Sequence, residues 1–183
     1  MSVAKLNVNL SSISKNLSRI RNLSDKTVKT AAVVKANAYG LGVDAVAKHL
    51  YKEGVRIFFV SSAREAVELR LILPSHAVIY YLNGYSSDDF NEVSEFNIVP
   101  VLNSIEQIES FKNKTENKLA ALQIDIGMKR LGLNTSEVLK AKEICKSINI
   151  NLILGHLSSS DDERNPTNLK QLSLFSKLAA IFP

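Results

Sequence analysis

Between residues 32 and 40 the chain reads AVVKANAYG, in which an apolar run ends in a lysine and turn-forming residues follow. The run Ala31 to Val34 predicts a strand buried on both faces, with Lys35 at its end. Burial disfavours an ammonium group, so the Lys35 amine is expected to lose its proton at neutral pH and to form a Schiff base with a carbonyl. The alternative is a solvated side chain that extends from the edge of the sheet.

The residues after this lysine predict a turn that binds an anion. Tyr39 lies close enough in a tight turn to offer its hydroxyl to a phosphate. Gly40 and Gly42 would let backbone N–H groups approach the same anion. An aldehyde that carries a phosphate fits this combination, and pyridoxal phosphate is the obvious one.

Five further apolar runs follow, and segments with apolar residues at helical spacing lie between them. The runs are Ile57–Val60, Val78–Leu82, Ile98–Leu102, Leu119–Ile124 and Leu152–Leu154. Ser62 with Glu65, and Asn103 with Glu106, are candidate capping boxes placed after strands.

The two ends of the chain carry weaker patterns. The last segment predicts a helix that reaches the end of the chain through Leu169, Leu172 and Phe175, and residues 3–10 are a candidate further strand.

Regular alternation of strands and helices predicts parallel strands, in either an open doubly wound sheet or a closed barrel. At this spacing eight βα units would need on the order of 250 residues, whereas the chain has 183. Length therefore argues against a complete barrel.

The stretch 32–40 resembles the lysine signature of the alanine racemase family. Three further stretches resemble motifs of that family in the same order, namely VSSAREA at 60–66, IDIGMKRLG at 124–132 and GHLSSSD at 155–161. The resemblance implies an α/β fold of parallel βα units from a TIM-type barrel, with about six of eight strands. Residues 1–183 would be one partial barrel domain, without the family's C-terminal β domain.

The resemblance also implies roles for individual residues. Lys35 would hold pyridoxal 5'-phosphate as a Schiff base and move the α-proton on one face of alanine. Tyr39 would contact the phosphate, and His156 would lie beside the cofactor ring. Arg130 would support the ring hydroxyl and approach the substrate carboxylate, which the backbone N–H of Met128 also faces.

Two positions depart from the family pattern. Gln123 stands where many members have a lysine, often carbamylated, that positions the arginine, and Ile126 replaces a common threonine. The family's second base is a tyrosine from the C-terminal domain of the partner subunit, so the resemblance also implies a homodimer, or a C-terminal complement for this chain.

Composition is ordinary for a soluble globular protein. The net charge is +5 and 22% of residues are charged, but the basic residues are scattered and form no stripe typical of nucleic-acid binding. No stretch is long and apolar enough to cross a membrane, and Met1 to Leu17 lacks a signal-peptide pattern, so a cytoplasmic location is expected. Cys145 is interpreted as a core residue, His49 and His76 as structural, and no metal ligand set is proposed.

Three functional interpretations follow. In the first, the chain is the N-terminal part of an enzyme that interconverts L- and D-alanine. In the second, it is a truncated, inactive fragment with at most weak binding of pyridoxal phosphate. A third interpretation, a small barrel that handles the cofactor alone, would require all eight strands.

Overall fold

The computed structural model describes residues 4–114 and 119–182. Within them, six strands form one parallel sheet in which consecutive strands are neighbours. The strands are β1 (Ala32–Val33), β2 (Ile57–Val60), β3 (Val78–Tyr81), β4 (Val99–Leu102), β5 (Leu119–Ile124) and β6 (Asn149–Gly155). This order is that of a βα barrel wall rather than of a doubly wound sheet, in which the strand order reverses at a switch point.

Helices cover the outer face of the sheet. They are α1 (Leu10–Asn22), α2 (Lys35–Tyr39), α3 (Val43–Lys52), α4 (Ala63–Ile72), α5 (Phe90–Phe96), α6 (Ile105–Lys114), α7 (Thr135–Ile144) and α8 (Pro166–Ala179), with short 3₁₀ turns at Ser87–Asp89 and Cys145–Ser147. The element α2 is a single left-handed turn. Across the described residues, every helix is too short or too polar to cross a lipid bilayer.

The sheet separates two apolar clusters. The larger lies between strands and helices and includes Phe58, Ile79 and Phe111, all fully buried. The smaller lies on the other face and is built around Tyr80 and Val101. Residues alternate between the two clusters along β2 and β3, because successive side chains of a strand point to opposite faces.

A contact across the inner face shows that the sheet is curled. Asn151 on β6 donates a hydrogen bond from its Nδ2 to the hydroxyl of Tyr80 on β3, at 2.9 Å. In a flat sheet these strands would lie three spacings apart, roughly 14 Å. The sheet therefore bends toward its inner face, as a barrel wall does.

The predicted runs locate all six strands. The bounds of β2 and β5 are as predicted, whereas β1 covers only Ala32–Val33 and β6 begins earlier, at Asn149. Residues 4–9 form no strand, so the candidate strand before the first helix is wrong there. Val3 and Pro183 lie outside the described residues.

The two predicted capping boxes are only partly confirmed. Ser62 accepts a hydrogen bond from the backbone N–H of Glu65, as expected, but the Glu65 carboxylate accepts from the N–H of Ser61, one residue before the cap. In the other case Ser104, not Asn103, accepts from the backbone N–H of Gln107. Asn103 is instead buried, and its Nδ2 donates to the carbonyls of Leu82 and Val101.

The last helix is confirmed at Pro166–Ala179, but it ends before the predicted end and its buried face differs from the predicted stripe. Leu169 and Leu172 are exposed, whereas Gln171 and Leu178 are buried. Phe175 packs against the core on the same face.

Candidate functional site

The segment after β1 adopts an unusual backbone conformation. Ala36, Asn37, Ala38 and Tyr39 have φ values of 51°, 55°, 53° and 56°, so four successive residues with a Cβ atom are left-handed. This conformation costs about 1–2 kcal/mol per residue relative to the right-handed form. Specific contacts must therefore hold the turn that follows Lys35.

Some of these contacts are local. The N–H of Ala38 donates to the carbonyl of Val34 at 2.9 Å, and the N–H of Gly40 donates to that of Ala36 at 2.9 Å. The side chain of Asn37 accepts from the N–H of Val43 at 2.7 Å, which joins the turn to the start of α3.

One contact comes from a distant part of the chain. Glu65, 29 residues away on α4, accepts from the N–H of Ala36 through Oε1 at 2.8 Å. Its Oε2 accepts from the N–H of Ser61 at 2.7 Å and from the Ser61 hydroxyl. Burial alone would raise the pKa of this carboxyl, but these hydrogen bonds outweigh burial and lower the pKa. Glu65 is therefore an ionised link between two strand ends.

The predicted site residues follow the carboxyl ends of three parallel strands. Lys35 follows β1 and is half-buried, Arg130 lies in the loop after β5 and is exposed, and His156 directly follows β6. Tyr39 is 62% exposed, and Met128 is half-buried. The carboxyl ends of parallel strands are where βα barrels bind their ligands.

Electrostatics show that three of these residues lie near one another. The pKa of His156 is lowered, first by partial burial and then by the positive charges of Arg130 and Lys35. In a flat sheet β1 and β6 would lie roughly 24 Å apart. Curling of the sheet therefore brings an amine, a guanidinium and an imidazole to one electropositive site.

The loop after β5, which carries Met128 and Arg130, is tightly held. Asp125 Oδ1 accepts from the N–H groups of Gly127 and Lys129 at 2.9 and 3.0 Å. The buried Gln123 donates from Nε2 to the carbonyl of Leu131 at 3.2 Å. An amide at position 123 thus supports the loop beside the arginine.

Gln171 is a functional candidate that the sequence analysis missed. It is 3% exposed, and its Oε1 accepts from the N–H of Ser158 at 3.0 Å. A Cβ atom on Gly127 would lie 3.1 Å from Gln171 Nε2. Gln171 therefore contacts the loops after both β5 and β6. Its spacing of four residues from Phe175 and seven from Leu178 was the signal that it faces inward.

The site lies in the open at the carboxyl ends of the strands and not in a closed cavity. One cavity of about 320 Å³ is lined by Val34, Ala36, Asn37, Val43, Val60, Glu65 and Glu68, and its two carboxylates do not suit an anion. A larger cavity of about 700 Å³ lies between the start of β6 and the end of α8. Neither cavity is lined by Lys35, Arg130 or His156.

The remaining candidate side chains are structural. Cys145 is buried, and burial raises the pKa of its thiol to about 11, which opposes nucleophilic chemistry. His49 pairs with the Ser14 hydroxyl at 2.7 Å, and His76 pairs with the Tyr51 hydroxyl. In residues 4–114 and 119–182, no group of three or more His, Cys, Asp or Glu side chains could hold a metal ion.

Comparison with known proteins places the chain in a family. Residues 8–183 match the family model described as alanine racemase, N-terminal domain. The chain belongs to the alanine racemase family. Alanine racemase of Rickettsia prowazekii (strain Madrid E) is 37% identical over 190 residues, which is 100% of this chain and 47% of that protein. That of Rickettsia bellii (strain RML369-C) is 38% identical over 165 residues, which is 86% of this chain and 40% of that protein.

Solved structures of the family share the fold. Alanine racemase from Bartonella henselae, crystallised with covalently bound pyridoxal phosphate, superposes with a TM-score of 0.88 at 34% identity. The match covers 96% of this chain and 51% of that one. The chain thus spans about half the length of the curated relatives it matches.

Proposed function

We propose that this chain forms the part of an alanine racemase that binds pyridoxal phosphate and interconverts L- and D-alanine. Residues 1–183 would act as one barrel unit, and Lys35 would be its catalytic residue. The observation that carries the proposal is that Lys35, Arg130 and His156 follow the carboxyl ends of β1, β5 and β6 in a chain that matches the N-terminal domain of alanine racemase.

The residues at the carboxyl ends of these strands fit the cofactor chemically. The charged groups around His156 are positive and suit a phosphate and a carboxylate. Cβ atoms built on Gly40 and Gly42 would meet nothing within 4 Å, so there is open space beside this backbone, but the N–H groups of both glycines already donate to the carbonyls of Ala36 and Asn37 and are not free to bind an anion as the sequence predicted. The same residue types would suit a simple phosphate, but only an aldehyde makes use of the amine.

Each residue is assigned a separate task. Lys35 Nζ would bind the cofactor and then take or return the α-proton on one face. The Tyr39 hydroxyl would donate to the phosphate, and His156 would lie beside the ring. Arg130, with the N–H of Met128, would hold the substrate carboxylate. The cofactor supplies a conjugated ring that spreads the charge left when the proton is removed.

Racemisation needs a proton donor on the second face as well. By family resemblance, a tyrosine from the C-terminal domain of a partner subunit would supply it, within a homodimer or from a complementary segment. Among the described residues, we assign Lys35 as the base on the first face and assign no residue to the second face.

A titration with pyridoxal phosphate tests the proposal. We expect a saturable change in the absorbance of the cofactor with the native chain and with Lys48→Ala, whose lysine pairs with Asp44 at the surface. Lys35→Ala should abolish it. An assay for D-alanine formed from L-alanine then separates an active enzyme from a chain that binds the cofactor without turnover. No Lys35-dependent change in absorbance would contradict the proposal.

A further inference from the structure

Glu65 makes a hydrogen bond that its role as a helix cap does not explain. A residue at the third position of a helix usually directs its carboxylate to the N–H groups just before that helix. Oε2 of Glu65 does so by accepting from Ser61. Oε1 instead accepts from Ala36, a residue of the turn after a different strand.

The hydrogen bond from Ala36 acts directly on the turn that follows Lys35. Ala36 follows Lys35 and is the first of the four left-handed residues. Its N–H fixes the orientation of the peptide that joins it to Lys35. The turn has no glycine before Gly40, so its residues do not prefer this conformation by themselves.

We propose that Glu65 is a positioning residue for Lys35, holding the left-handed turn so that the lysine side chain projects toward Arg130 and His156. As far as cofactor binding is concerned, this inference rests on the proposed function. The link itself does not, because it is a property of the free chain.

The carboxylate chemistry makes a sharp prediction for Glu65→Gln. The N–H groups of Ser61 and Ala36 each donate to a different carboxylate oxygen of Glu65. A glutamine has one carbonyl oxygen and one NH₂ group, so one of the two N–H groups must face a donor. Glu65→Asp keeps both oxygens and the charge but is one methylene shorter, and we expect an intermediate effect.

Glu68→Gln is the matched control. Glu68 lies on the same helix and lines the same cavity, but its carboxylate pairs with Arg64 at 3.2 Å on the surface. Circular dichroism of all variants checks that they are folded.

The first measurement is amide hydrogen exchange of the segment 34–40, together with the rate at which an acylating reagent modifies Lys35, both read by peptide mass spectrometry. Exchange should be faster in Glu65→Gln than in the native chain, and the acylation rate of Lys35 should change while that of other lysines does not. Glu68→Gln should match the native chain. Unchanged exchange, or an unchanged Lys35 rate, would overturn the proposal.

The second measurement is the fraction of Lys35 that binds pyridoxal phosphate. We expect Glu65→Gln to weaken binding by roughly tenfold or more, because small misplacements of a reacting group have large effects. Faster exchange with unchanged cofactor binding would mean that Glu65 holds the turn but does not position Lys35 for the cofactor, and would overturn the proposal. If the native chain does not bind the cofactor, the proposed function fails, and the first measurement alone decides whether Glu65 positions Lys35.

Discussion

The imidazole of His156 reports on the positive charges around it. Burial and the charges of Arg130 and Lys35 all oppose its protonation and lower its pKa. Because Lys35 and His156 belong to opposite edges of the sheet, this effect depends on how the strands curl. The pKa of His156 therefore depends on how the strands place Lys35 and Arg130 relative to its ring.

Removing either positive charge should raise the pKa of His156 toward its ordinary value of 6.5. Titration of the His156 ring by NMR in Lys35→Met and Arg130→Met should show this rise. Lys48→Met serves as the control, because that side chain is exposed on α3. An unchanged titration in Lys35→Met would mean that the amine does not lie near the imidazole.

Individual residues also show where sequence analysis reaches its limit. Lys35, Arg130 and His156 could be singled out because family motifs contain them. The left-handed turn could not be predicted, since Ala and Tyr disfavour that conformation intrinsically and Glu65 is distant in sequence. Asn103 was assigned to a cap, but its Nδ2 instead donates to the carbonyl of Val101, two residues before it, and to that of Leu82, just after β3.

Among the elements, α4 is anchored at both ends by charged side chains. At its start Glu65 accepts a hydrogen bond from the N–H of Ala36, in the turn that follows Lys35. At its end the partly buried Arg70 donates to the carbonyls of Pro74, Ala77, Phe96 and Asn97. The helix therefore connects three neighbouring βα units.

Arg70→Lys should destabilise the fold by about 1–3 kcal/mol, because an ammonium cannot reproduce the planar set of donors. Urea unfolding measures the change. Arg64→Lys is the control on the same helix, where the side chain is exposed and the change should stay within about 0.5 kcal/mol. Equal effects of the two substitutions would show that the four carbonyl contacts do not stabilise the fold.

The start of α4 should make stability depend on pH. The folded pKa of Glu65 is below its ordinary value of 4.5, so its contribution is complete above that value and is lost as pH falls through the folded pKa. Between pH 7 and the acid range, the native chain should therefore lose more unfolding free energy than Glu65→Gln. Parallel losses in the two proteins would argue against an ionised Glu65 in the fold.

Apolar runs located the strands, but burial does not explain which bounds were exact. The bounds of β2 and β5 were predicted correctly although β5 contains the polar Gln123, whereas the fully buried β4 begins one residue later than predicted. The prediction missed the first residues of β6, because Asn149 and Asn151 interrupt the apolar pattern although both lie in the strand. The tertiary contact of Asn151 with Tyr80 accounts for one of these asparagines.

At the scale of the whole molecule, curvature connects the fold to the site. The order of the six strands follows the chain, and the bond between β3 and β6 shows that the sheet bends. This bend brings the carboxyl ends of β1, β5 and β6 closer together. Length and alternation predicted parallel strands, but curvature arises from contacts between distant strands and was expected only through the family resemblance.

The most direct test of the account is to identify the amine that binds pyridoxal phosphate. Reduction of the mixture with borohydride fixes the cofactor to that amine, and peptide mass spectrometry locates it. The account predicts that the label falls on Lys35 at low cofactor concentration, with little on the other lysines. A label spread over surface lysines, with Lys35 no more reactive than the rest, would contradict it.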